Sequence, residues 1–532
     1  MAAIPMLNRT PQVLILPFNL VDKKILVMKY FLNILIVLIV VSLLSGCKKT
    51  LEEDPIGLLS PEGFYKSKRD VESAIFGAYG MLASETLFGR QYVSAIMLRD
   101  DMSDIGNRGT TAERIQVNDF KMDARNGMVR AFWPTWYQVI SAVNSAEFGA
   151  KSINLVETEL NPLLAEIKFV RAFSYFHLVR VFGDIPYIDK FISNPDDVKS
   201  INKTKEAELY TKIIGELEYA KQWLPDRHPS DIRTRPTKAT AASYLAAVYL
   251  TLGDYQKAYT EAKWVIDKRT TYNYSLEPDF QNLFRAELAN GLKETVFAVD
   301  FLSKINVGNN NDDLNGPMTG IRNTPQNGFG VVVPSLKTFT SWNALDYRRK
   351  VSFEDSTLNA AGVLIPYTSY PNEKRPHIAK WRRFPGNANS DGRYSDHNYA
   401  DMRYAEVLLI AAEAQTEISG PTQEAIDYIN QVRTRARNWP GRASSFPANL
   451  ALAGLTKAQL IDMVMEERKF ELAFEWKRWF DIKRRKLGDI LFKGPNSLEP
   501  QTTFDATRDY LMPLPQTELE INPNLKPQNP GY

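Results

Sequence analysis

Residues 239–267, ATAASYLAAVYLTLGDYQKAYTEAKWVID, decide how the rest of the chain is read. Apolar positions recur three and four apart on both sides of Gly253-Asp254, so the segment predicts one helix, a tight turn and a second helix. Tyr249, Leu252, Gly253, Tyr255, Ala258 and Ala262 follow the tetratricopeptide pattern, and the small alanines let the two helices approach closely. Residues 403–436, RYAEVLLIAAEAQTEISGPTQEAIDYINQVRTRA, predict a second hairpin broken at Gly420-Pro421. Segments 163–182 with 204–224, and one long helix over about 456–486, complete four units. Such hairpins leave an apolar face until a neighbour covers it, so they stack into a superhelix.

Working outward, the chain predicts roughly nine or ten helices in all. One begins at Ser60-Pro61 and runs to about Leu82, another spans Met128–Ala150, and a third runs from Thr158 to Phe182 with Gly183 placed to end it. From about 270 to 400 the character changes. Asn306–Gly328 holds seven Asn and four Gly, which favour turns over helix. Short runs at Thr295–Phe301, Val331–Val333 and His377–Trp381 read as small strands. The fold class expected is therefore mainly α: a tetratricopeptide-like helical-hairpin superhelix, with hairpins at about 160–267 and 401–486 and a large irregular, loop-rich insertion containing short strands.

The 532 residues are too apolar for disorder and too polar for a many-spanning membrane protein, at 44% hydrophobic and 24% charged. The net charge of +3 resides at the N-terminus: residues 1–46 hold Arg9, Lys23, Lys24, Lys29 and Asp22, and the remainder carries 61 bases and 61 acids. Neutrality of the body argues against a nucleic-acid partner, although a local patch can hide within such a balance. The one cysteine, Cys47, rules out an intrachain disulfide and Cys-built metal sites. It closes the apolar run Tyr30–Leu44 after the small residues Ser45 and Gly46, the pattern of a signal peptide over 1–46, with Met28-Lys29 as an alternative start. That run is shorter than the ~20 apolar residues that span a bilayer.

LSGC, Leu44–Cys47, resembles the lipobox of bacterial lipoproteins. The resemblance implies cleavage before Cys47, its acylation, attachment to outer-membrane lipid, and a tether over 47–60 ahead of a single body at 61–532. Further motifs resemble the SusD/RagB family of Bacteroidetes outer-membrane nutrient-binding lipoproteins. They are RAFSYFHLVRVFGDIPY at 171–187, PTKATAASYLAAVYLTLGDY at 236–255, RYAEVLLIAAEA at 403–414, AIDYINQVRTRA at 425–436, ERKFELAFEWKRWFDIKR at 467–484 and YLMPLPQTELEINPNLKPQNPGY at 510–532. The resemblance implies a cell-surface protein that binds a nutrient oligomer, a glycan or in the RagB manner a peptide, and acts as a lid on a SusC-like TonB-dependent transporter. Its repeat side is expected to face the transporter, and the loops outside the repeats to hold ligand.

Sugar rings stack their C–H faces on Trp and Tyr while Asn, Asp, Gln and Arg bind the hydroxyls. Two places supply that mixture: Gly89–Asn107, with Arg90, Gln91, Tyr92, Asp101 and Asn107, and the insertion, with Trp342, Tyr347, Tyr370 and Trp381. Trp133, Trp136, Tyr137, Trp476 and Trp479 are expected in the core. The cluster Glu466, Glu467, Arg468, Glu471 and Arg478 reads as interhelical pairing, Arg171, Arg180 and Asp184 as a helix-end salt network, and the closing NPGY as a clasp on the body. A glycoside hydrolase is the rival class, and needs two carboxylates on opposite sides of a cleft. Asp100, Asp101 and Asp104 lie on one loop, His177, His228, His377 and His397 lack ligand spacing, and GxSxG and phosphate-loop motifs are missing. No catalytic residue, cofactor or metal site is predicted; the run Asn309–Asp313 could supply oxygen ligands for calcium but reads better as a solvated loop.

Overall fold

The computed structural model describes residues 21–44, 61–301, 313–381 and 396–532. The chain divides into two units, 1–60 and 61–532. In the first, the segment before Cys47 forms helix α1 (Val21–Leu44), whose side chains from Lys24 to Ile36 are exposed. Cys47 and the tether lie outside the described residues, as do residues 309–312 of the asparagine-rich run.

The body is built on helices α2 (Lys68–Leu82), α3 (Gln91–Met97), α4 (Gly127–Ser152), α5 (Glu157–Phe182), α6 (Glu206–Trp223), α7 (Lys238–Leu252), α8 (Tyr255–Asp267), α9 (Tyr404–Ser419), α10 (Gln423–Ala436), α11 (Lys457–Glu471) and α12 (Arg478–Arg484). The decisive hairpin forms for the reasons its sequence supplies. Thr237 and Thr240 close a capping box on α7, Gly253 ends it in the left-handed region at φ 74°, and the Asp254 side chain caps α8 by accepting from the Lys257 amide. α5 packs on α4 and α6, α7 on α6 and α8, and α9 on α8, α10 and α11, so the hairpins stack as the pattern demands. The expected core rings are there: Trp133, Trp136, Trp476 and Trp479 are buried, while Tyr137 is half-buried and packed against the core.

Short strands join antiparallel, in pairs, among the described residues: β1 (Ser103–Ile105), which precedes the insertion, with β3 (Val332–Pro334), β2 (Thr295–Val299) with β8 (Tyr399–Arg403), β4 (Phe353–Glu354) with β7 (His377–Ile378), and β5 (Ser356–Leu358) with β6 (Leu364–Pro366). β2 contacts α7 and β8 contacts α9, which ties the insertion to the repeat body.

Two expected helices break. The one from Ser60 stops at Phe64 and restarts at Lys68, because Ser67 and Asp70 form a capping box that begins a new helix. The long helix over 456–486 ends at Glu471, resuming at Arg478. Between them Phe474 (φ 62°) and Trp476 (φ 48°) adopt the left-handed region, at a cost of about 1–2 kcal/mol each. Burying each ring contributes about 1.5–3 kcal/mol, which offsets that cost. Trp476 stacks on Trp381 with ring centres 5.3 Å apart and donates from Nε1 to Asp401 at 3.0 Å.

The ERKFELAFEWKRWFDIKR stretch is an ion-pair hub. Arg403 Nη1 donates to Glu294 at 2.5 Å and to Glu471 at 2.9 Å, and its Nε donates to Glu475 at 2.8 Å. Arg435 pairs with Glu294 and Glu471, Arg348 with Asp346 and Glu467, and Lys380 with Glu475. Arg468 bridges Glu406 and Asp481. These side chains are buried, so each charge is tolerated only because its partners are in place. Arg171 likewise joins Glu147 to Glu216, and Asp184 accepts from Lys205 at 2.8 Å. Arg180 instead lies over Phe176 and Phe480, each ring centre 3.8 Å away. The clasp forms as expected: Asn529 donates to the Phe182 and Met512 carbonyls, and the Tyr532 hydroxyl donates to Leu511 O at 3.0 Å.

Candidate functional site

The fold brings the two candidate regions together. β1 pairs with β3, the amides of Gly106 and Asn107 donate to Val331 O and Gly330 O at 3.0 and 2.8 Å, and Leu314 N donates to Gly89 O at 2.9 Å. The approach is close enough to require glycine on both sides. A Cβ on Gly106 would stand 2.5 Å from Gly330 O, and Gly330 itself has φ +57° and abuts Glu373.

The aromatic side chains, however, do not face outward, and this corrects the sequence expectation. Tyr92 is buried, with its hydroxyl donating to His177 Nδ1 at 2.8 Å, and Asp101 is buried against Arg478 at 2.7 and 2.8 Å. Trp342 packs between Phe353 and Phe470, Trp381 against Trp476 and Tyr399, and the Tyr370 hydroxyl donates to Glu354 O. Tyr347 rests on Trp439 and donates to Asp279 at 2.7 Å. Each ring contributes more by filling the core than by remaining open, and none offers a free face to a sugar.

Arg90, Gln91 and Asn107 remain half-exposed. Arg90 is tied to Glu85, Gln91 begins α3, and Asn107 accepts from the Gly109 amide at 3.0 Å. Sequence reasoning missed the polar companions that gather near Asn107 from its own loop and from the insertion. Arg375 donates to Asp104 at 3.0 Å, Arg108 holds Asp119 through two contacts of 2.9 Å, Arg322 reaches Glu373 at 3.2 Å, and Asn323 donates to Asn372 at 2.9 Å. Glu499 is pushed up to about 7 by burial and by the Asp104 carboxylate. The result is a polar rim of guanidinium, carboxylate and amide groups carried by loops, able to donate to and accept from hydroxyl groups. No short motif announces these partners, since Arg375 meets Asp104 across 271 residues of sequence.

The acidic loop is occupied with structural duties. Asp100 accepts from the amides of Met102 and Ser103, both at 2.9 Å, and burial beside Asp101 pushes it up to about 7. His177, His377 and His397 are buried and held down to about 4, His228 is buried as well, and among the described residues no group of three His, Cys, Asp or Glu side chains is arranged to hold a metal ion. Asp313 accepts from Tyr399 at 2.5 Å.

Stacked helical hairpins with a polar rim carried on an inserted set of loops define a repeat-scaffold binding protein. Comparison with known proteins gives the family. Residues 357–532 match the model described as SusD family, and 63–250 match one described as starch-binding associating with outer membrane. A SusD-like protein P2 of Formosa agariphila is 48% identical over 95% of this chain and 100% of its own length. The starch-binding protein SusD of Bacteroides thetaiotaomicron is 25% identical over 69% of this chain and 72% of its own. A SusD homologue of known structure from the same species superposes with TM-score 0.76 at 22% identity, covering 89% of this chain and 98% of its own. A laminarin-binding SusD-like protein superposes at 0.70 with 22% identity, over 88% and 100% of the two chains. The chain belongs to the SusD family.

Proposed function

We propose that this protein is a surface lipoprotein that captures a nutrient oligomer, a glycan above all, and passes it to a SusC-like TonB-dependent transporter without cleaving it. The full-length 48% match to a SusD-like protein carries the reading. The names of two relatives, one starch-binding and one laminarin-binding, favour a glycan over a peptide. The rim around Asn107, Arg108, Arg322 and Arg375 is the face proposed to receive it, through hydrogen bonds rather than a buried aromatic platform. Cys47 is the proposed attachment point, and α1 belongs to the leader removed before it. Catalysis is not part of the proposal, because Asp100, Asp101 and Asp104 each serve a structural partner instead of facing one another across a cleft.

A glycan array and a peptide library probed with the purified protein test the first half. Binding of an oligosaccharide released unchanged is expected; occupation by peptides alone, or turnover of the sugar, overturns it. Co-isolation with a large outer-membrane barrel is expected from cells, and Cys47→Ser should leave the protein unprocessed and released from outer-membrane lipid.

A further inference from the structure

Overall charge neutrality conceals a second surface that differs from the rim in chemistry. An open groove of about 960 Å³ runs along the outer edge of the second hairpin, bounded by α10, by the loop through residues 437–449, and by residues 269–278 between the repeats and the insertion. Four of its side chains are guanidinium groups and one, Asp427, is a carboxylate. Arg435 is neutralised by Glu294 and Glu471. The other three have no carboxylate within 4.0 Å among the described residues. Arg437 donates to Pro447 O and to the Thr434 hydroxyl, Arg269 is exposed with one contact to Ile266 O at 3.3 Å, and Arg442 is exposed, lying 4.6 Å over the half-exposed ring of Trp439.

The groove floor adds an unsatisfied group. Tyr404 is buried and stacked near Tyr274, and its hydroxyl has no hydrogen-bond partner among the described residues. Amides of Asn430, Asn438 and Asn449 line the same walls. Planar guanidinium groups match carboxylate and sulfate oxygens in pairs, and amides and a phenol match hydroxyls.

We infer that this groove binds an acidic oligosaccharide, with uronate or sulfate groups on Arg269 and Arg442. A peptide is the poorer match: none of the strands described lies in the groove, so it offers no sheet edge to pair with an extended chain. The assignment rests on the glycan-capture reading above and narrows it to a charge class and a second site.

The test is calorimetric titration of the purified protein with hexagalacturonate, sulfated dextran oligosaccharide, a neutral glucan hexamer and polyglutamate, repeated on the double variant Arg269→Glu, Arg442→Glu. Both positions are exposed, so an unchanged melting temperature certifies the fold. Expected is binding of at least one acidic sugar that weakens with added salt and falls about tenfold or more in the double variant, the loss of two charge-assisted contacts. Equal affinity in both forms overturns the groove but leaves glycan capture standing. Preference for the neutral hexamer or for polyglutamate overturns the acidic-sugar assignment. If a full glycan array also leaves the protein unoccupied, the capture reading falls with it.

Discussion

Arg403, the last residue of β8, and Glu471, the last residue of α11, meet at 2.9 Å with both side chains withdrawn from water. Arg348 and Arg435 share the same carboxylate, which these guanidinium groups hold far below its ordinary range despite the opposing effect of burial. Glu471→Gln should therefore cost about 3–5 kcal/mol, because it strands buried cations rather than deleting one contact. Chemical denaturation measures the cost; a change below about 1 kcal/mol, the range of an exposed pair, would refute it.

At the rim, Gly330→Ala forces a side chain onto a left-handed backbone against Glu373. A loss of about 1–3 kcal/mol is expected in thermal unfolding. Weakened ligand binding should accompany it, since the β1–β3 junction sets the position of Asn107.

Arg375→Ala removes a partly exposed cation from Asp104 and should alter stability by no more than about 1 kcal/mol. It should nonetheless reduce oligosaccharide affinity if the rim receives the ligand. Unchanged affinity by titration calorimetry would move the site elsewhere.

The buried imidazoles set an acid limit. His177, His377 and His397 are held near pKa 4 by burial, below the 6.5 of a free side chain, so the unfolded chain takes up protons that the folded one refuses. The stability they confer is complete above pH 6.5 and declines as pH falls toward 4. Asp100 and Glu499, raised to about 7, act oppositely: their contribution is complete below the ordinary carboxylate range and is lost as pH rises toward 7. Imidazole proton shifts followed by NMR should show three side chains still neutral at pH 5; midpoints near 6.5 would contradict the burial.

Much of the scaffold was legible because its signals are local. Gly253 and Asp254 mark a turn whatever surrounds them, and the spacing of Glu467, Arg468 and Glu471 on a helix announces pairing. The breaks at Ser67 and at Phe474 were not read, the second because left-handed Phe474 and Trp476 are favoured only by a pocket that Trp381 and Asp401 help to build. The candidate site was legible as two stretches of sequence, Gly89–Asn107 and the insertion, and both reach the same face. Which side chains remain open was not legible: Trp342 and Tyr370 are enriched in polar surroundings by sequence, yet Phe470 and Glu354, distant in the chain or around a turn, enclose them.

The clasp formed by Asn529 has a temporal side. It completes the capping of Phe182 at the end of the central helix α5, and 347 residues separate the two. During synthesis or export this cap can therefore form only after Asn529 has emerged, and a chain cut before that residue is expected to leave the Phe182 and Met512 carbonyls without their shared donor.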